Sequence, residues 1–238
     1  MVCSGAAGGA LAVTLVTEGP YRFPPARFDL RMATAVLRER GPRLACLGYF
    51  GHMWELYAMW TWLGVFLAAS LHARGGGSFA GLNASAATFA CVGVAGGLGA
   101  YAGGALADRL GRTALTMAAM ALSGLCAVLI GFTFAGPPIA TLLVAFVWGG
   151  AVIADSAQFS TAVTELAPAA YVGTALTTQT CLGFALTMAS IWLIPPVVGL
   201  VGWRWAFATL AIGPALGVLA MGRLRALPEA AGMASGRR

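Results

Sequence analysis

The sequence predicts an all-α membrane protein, a bundle of six transmembrane helices, from three observations. Hydrophobic residues make up 59% of the 238 positions and charged residues only 9%, against ~25% charged in a soluble domain. Apolar segments recur at the ~20-residue length that crosses a bilayer as a helix, and none alternates in polarity as a ~10-residue barrel strand would. The 33 glycines agree with this, because small residues let membrane helices approach closely.

Residues 1–17 close on a weakly apolar stretch, SGAAGGALAVTLV. It lacks the basic start of a signal peptide. It reads as the remnant of a preceding transmembrane helix, with a cleaved signal as the alternative. Residues 18–43 hold six arginines and four prolines but no long apolar run, which predicts a solvent-side loop with a short amphipathic helix around Leu30–Arg40. The bundle then occupies residues 44–222. Its segments run from Leu44 to Leu71, Phe79 to Leu106, Thr113 to Ala135, Ile139 to Thr164, Tyr171 to Ile194 and Trp203 to Met221. Gly136-Pro137-Pro138 separates the third from the fourth, and Pro195-Pro196 is expected to stop the fifth. The tail, residues 223–238, is polar and is expected to be disordered. The cysteines lack the spacing of a metal or redox motif and read as small buried residues.

Every basic residue is arginine, and the net charge is +6. With loop 18–43 in the cytoplasm and six helices threaded from it, twelve arginines fall on the cytoplasmic side. Only Arg74 and Arg204 fall on the other. That asymmetry follows the positive-inside rule. It predicts a multi-pass protein of a bacterial inner (plasma) membrane, with loop 18–43 and the C-terminus cytoplasmic. The arginines sit at the ends of apolar segments, so they speak for membrane orientation and not for nucleic acid.

The segment GGALADRLGR, residues 103–112, lies in the cytoplasmic turn between the second and third helices. Gly104-x-Leu106-Ala107-Asp108-Arg109-x-Gly111-Arg112 resembles the signature loop of the major facilitator superfamily, with Thr113 where a further basic residue is common. The stretch ELAPAAYVGTA, residues 165–175, resembles that family's loop between helices ten and eleven. Gly202-Trp203-Arg204-Trp205-Ala206-Phe207 resembles the start of its helix twelve. The likeness covers almost the whole chain and is to the C-terminal half, helices 7–12. It implies a half-transporter bundle of 3+3 inverted repeats, residues 44–135 and 139–222, although no convincing identity between the two is visible. It also implies that Gly104, Asp108, Arg109, Gly111 and Arg112 form a conformational latch. The latch partner of Asp108 would then lie on a helix outside this chain. The plainer reading is that the charges only set topology.

Two acids fall inside apolar segments, Glu55 in the first and Asp155 in the fourth. An ionised carboxylate at mid-membrane costs ~2.5–3.5 kcal/mol or more, so both should face the interior or a cavity. By helical rise they lie at similar depths, ~16 Å and ~14 Å from the cytoplasmic ends. His52 shares a face with Glu55, and Gln158 with Asp155. Trp54, Tyr57, Trp60 and Trp62 add aromatic surface. His52, Glu55, Tyr57, Asp155 and Gln158 therefore form the candidate substrate or proton pathway. Three readings of His52–Glu55 stay open: proton exchange, a packing hydrogen bond between the two, and a metal pair. No GxSxG, Walker loop or paired zinc spacing is present, so the chain reads as a non-enzyme without cofactor or bound metal.

The expected function is transmembrane transport of a small solute by alternating access, secondary active and open to proton coupling. The expected partners are a small-molecule substrate, the lipid bilayer, and an N-terminal six-helix half or a second copy, with no nucleic acid. The alternative is a six-helix assembly or regulatory protein without transport of its own.

Overall fold

The computed structural model describes residues 36–237, together with residues 9, 11, 13, 14 and 34. The expectations for residues 1–17 and for most of loop 18–43 lie outside the described residues. Six helices are long and apolar enough to cross a membrane: α1 (Arg40–Ala73), α2 (Ala84–Leu110), α3 (Arg112–Phe132), α4 (Pro138–Leu166), α5 (Ala169–Val201) and α6 (Trp203–Arg225). The described residues contain no strand, only an isolated bridge between Phe79 and Leu82 in the α1–α2 loop.

Several ends differ from expectation for local reasons. α1 starts at Arg40, inside the expected loop, because Pro42 falls in the first turn, where a missing N–H costs nothing. α2 starts after Asn83, whose Oδ1 accepts from the Ala86 N–H at 2.8 Å, an N-cap that orders the helix start. α5 does not stop at Pro195-Pro196 but continues to Val201 with both prolines inside. Pro195 removes the bond to the carbonyl four residues back, and Trp62 Nε1 donates to that orphaned Ile191 carbonyl at 3.0 Å. α6 continues to Arg225. The tail beyond it is ordered in turns over Pro228–Gly236, with Ala230 and Met233 buried. Of the described cysteines, Cys46, Cys91 and Cys126 are buried as expected, whereas Cys181 is exposed on α5.

The packing has an internal order. α1 packs on α5 and α6, α4 packs on α2 and α3, α3 meets α6, and α1 meets α4. Exchanging α1–α3 with α4–α6 leaves this set of contacts unchanged. The corners share a device too. Gly111 joins α2 to α3 at φ 91°, ψ 155°, and Gly202 joins α5 to α6 at φ 73°, ψ 172°. That region of backbone space is essentially closed to residues with a side chain, so one glycine turns the chain at each corner.

Glycines also set the closest approaches. A Cβ on Gly99 or Gly103 of α2 would collide with the α4 backbone at Gly150 or Ala154, and one on Gly149 would collide with the Cys91 backbone. Gly51 of α1 and Gly213 of α6 meet in the same way. Such contacts replace the hydrophobic drive that is missing between helices in lipid. Two hydrophobic clusters result. One, around Leu63, Phe66, Trp148 and Phe207, fills the end opposite the arginine-rich one. The other, around Cys46, Tyr49, Met53, Phe159 and Met221, fills the arginine-rich end and covers Met233 of the tail.

Candidate functional site

Between these clusters lies a polar tier. His52, Glu55, Asp155 and Gln158 are all at most 4% exposed. α1 supplies His52 and Glu55 one turn apart, and α4 supplies Asp155 and Gln158 with the same spacing. A direct hydrogen bond between His52 and Glu55, one of the three open readings, is not formed; both residues find partners on other helices. His52 Nδ1 lies 2.9 Å from Asp155 Oδ1 without hydrogen-bond alignment, a contact that becomes an ion pair when the imidazole is protonated. Glu55 instead accepts from Ser123 Oγ of α3 at 2.7 Å and from Trp148 Nε1 of α4 at 2.8 Å. The tier thus ties α1 to α3 and α4. The partners of His52 and Glu55 diverge, and the described residues hold no cluster of three or more metal-ligating side chains.

Asp155 sits at a break in α4. Regular helix runs Pro138–Ala154 and resumes over Ser156–Leu166. At the break the Gln158 N–H donates to the Asp155 carbonyl at 2.9 Å, three residues back instead of four. A mid-helix tightening of this kind loosens the backbone ladder where a helix can hinge. Not every polar atom of the bundle is matched. His52 Nε2, Trp60 Nε1 and both amide atoms of Gln179 on α5 are buried without a hydrogen-bond partner among the described residues.

The α2–α3 corner is built mainly by Arg112. Its Nε and Nη2 donate to the two oxygens of Glu165 at 2.9 and 2.8 Å, and its Nη1 donates to Gln158 Oε1 at 2.8 Å. The forked guanidinium fits this bidentate geometry, as an ammonium would not. Arg112 therefore clamps the start of α3 to the second half of α4 and reaches the residue one turn from Asp155. Gln158 serves the clamp; it does not join the Asp155 carboxylate.

The other corner residues do less. Gly111 supplies the turn. A Cβ at Gly104 would meet nothing within 4 Å, so Gly104 is not a packing glycine. Asp108 and Arg109 are exposed. Asp108 adds negative charge near Arg112, and its carbonyl accepts from Arg237 of the tail. Arg225 Nη1 donates to Thr113 Oγ1 at 3.1 Å, tying the end of α6 to the same corner.

Tyr57 stands apart from the tier. Its ring packs on Trp60 and Phe184 with centroids 5.4 and 5.2 Å away. Sequence reasoning missed Ser123, Trp148, Gln179 and Glu165. A tryptophan in a fully apolar segment carries an N–H that must be satisfied, and that signal pointed to Trp148; nothing in the pattern around Ser123 did so. No family model matches the chain, and no curated protein matches it.

Proposed function

We propose that this chain is the C-terminal half of a secondary active transporter of the major facilitator type, moving a small solute by alternating access. The observation that carries the reading is the His52–Asp155 contact buried at mid-depth, at a break in α4. Buried ionisable groups inside a membrane bundle are costly and mark ion or substrate pathways by default. With Asp155 ionised, protonation of the imidazole turns an ion–dipole contact into an ion pair, which strengthens the attraction between α1 and α4. A proton entering or leaving the tier therefore biases how the two helices sit together.

Supporting features come from the frame around the tier. The contact set that survives exchange of α1–α3 with α4–α6, and the matching glycine corners, support inverted 3+3 repeats. The Arg112–Glu165 clamp suits a latch at the arginine-rich end. α2 and α5, the second helix of each triplet, are the least covered of the six. In the proposed assembly their open faces meet an N-terminal six-helix half, or a second copy, and lipid.

A second reading has its own support. Glu55 is fully matched by Ser123 and Trp148, as in a bundle whose polar groups only fix packing, which suits an assembly or regulatory protein. Uptake by the assembled protein in proteoliposomes, with and without a pH gradient, separates the two. Under the transport reading His52→Gln and Asp155→Asn insert normally and lose gradient-driven uptake; the packing reading expects lost stability and no uptake in any variant.

A further inference from the structure

Two cavities of about 390 and 520 Å³ open between α1 and α6, and they share Leu44, Leu47 and Arg223. Together they form one continuous groove. Its trough is apolar, walled by Leu47 and Trp54 of α1 and by Ile212 and Leu216 of α6. Its mouth carries Arg40, Arg43 and Arg223. All three arginines are exposed, and none pairs with a carboxylate among the described residues. Arg40 and Arg43 are three apart and share a face of α1. The acids on adjoining chain, Glu39 and Glu229, do not engage them.

The dimensions select the occupant. From Leu44 to Trp54 the trough is ~15 Å long by helical rise. On α6 the distance from Arg223 to Ile212 is ~16 Å. Each is close to half of the ~30 Å hydrocarbon core of a bilayer. The trough closes at Trp54, whose indole N–H is held by the Thr209 carbonyl at 3.3 Å. A groove one leaflet deep, oily along its length and triply cationic at its surface end, matches a phospholipid with an anionic head group. Basic pockets between membrane helices recognise such head groups.

We propose that the α1–α6 groove is a binding site for an anionic phospholipid, with its phosphate among Arg40, Arg43 and Arg223 and an acyl chain along the trough to Trp54. The site is independent of the transport reading and uses none of its residues.

The test uses the full chain in mixed micelles titrated with phosphatidylglycerol, with phosphatidylcholine and glycerol phosphate as controls. Binding is read by native mass spectrometry and by thermal stabilisation. The wild type is expected to retain phosphatidylglycerol at least tenfold better than phosphatidylcholine, and to ignore glycerol phosphate. The triple variant Arg40→Gln, Arg43→Gln, Arg223→Gln is expected to weaken phosphatidylglycerol binding about a hundredfold, roughly fivefold per arginine. Leu216→Trp, an exposed trough position, is expected to lose lipid binding while keeping the arginines and the fold. Removing Arg109 and Arg204, which do not line the groove, by Gln substitution should leave phosphatidylglycerol binding unchanged. Equal retention of both lipids, or unchanged binding in the triple variant, overturns the proposal. So does a photo-cross-linker at Leu216→Cys that captures polypeptide and no lipid in native membranes.

Discussion

Glu55 shows how one buried acid is held in an apolar bundle. Its two carboxylate oxygens each accept one bond, from Ser123 and from Trp148. Trp148→Phe keeps most of the ring volume and removes one donor. It is expected to destabilise the bundle by ~1–3 kcal/mol, the cost of leaving a buried acceptor unmatched. Denaturant unfolding in micelles measures this, and a Glu55→Leu background should shrink the loss. The acids themselves were legible in the sequence, since a carboxylate in an apolar run stands out. Their pairing was not. His52 and Glu55 share a helix face at a spacing that invites a direct bond, yet the bundle offers each a partner on another helix. Those partners come from positions 68 and 103 residues away, which no local pattern encodes. Gly111 and Gly104 make a contrast of the same kind. Gly111→Ala forces a side chain into φ 91°, ψ 155° and is expected to cost ~1–3 kcal/mol. Gly104→Ala adds a methyl to open space within a helix and should be neutral or stabilising by up to ~1 kcal/mol. Thermal melts of the two variants side by side decide it.

At the scale of the element, existence was easier to read than extent. Six apolar runs of spanning length survive as six helices, because in lipid a segment must satisfy its own backbone. Their ends moved wherever a partner outside the element intervened. Trp62 rescues the Ile191 carbonyl and lets α5 pass through Pro195-Pro196. The tail, polar by composition, is ordered because Ala230 and Met233 bury against the arginine-rich end. The signature-like corner was legible as a corner, but its working residue is Arg112, through Glu165 and Gln158. Arg112→Lys keeps the charge and loses the fork. It is expected to release α3 from α4 at this end, with a stability loss of ~1–3 kcal/mol. Disulfide trapping between cysteines placed on the two helices should show the wider separation.

At the scale of the molecule, the arrangement is a frame of close glycine contacts around a thin polar layer. The frame resists change: Gly149→Val places a branched side chain against the Cys91 backbone, an overpacking expected to cost more than the usual ~1–3 kcal/mol. The layer is where the proposed switch lies: with Asp155 ionised, a proton on His52 would turn the α1–α4 contact into an ion pair. α4 is broken at the residue making that contact, and one turn on Gln158 accepts from Arg112.

The most direct check is the initial rate of solute uptake by the assembled protein in proteoliposomes after a pH jump, for wild type and for Asp155→Asn. With the His52–Asp155 contact as the moving part, Asp155→Asn inserts normally, keeps its thermal stability to within ~1 kcal/mol, and loses pH-driven uptake by tenfold or more. Uptake that follows the pH jump equally well in both proteins would contradict the account.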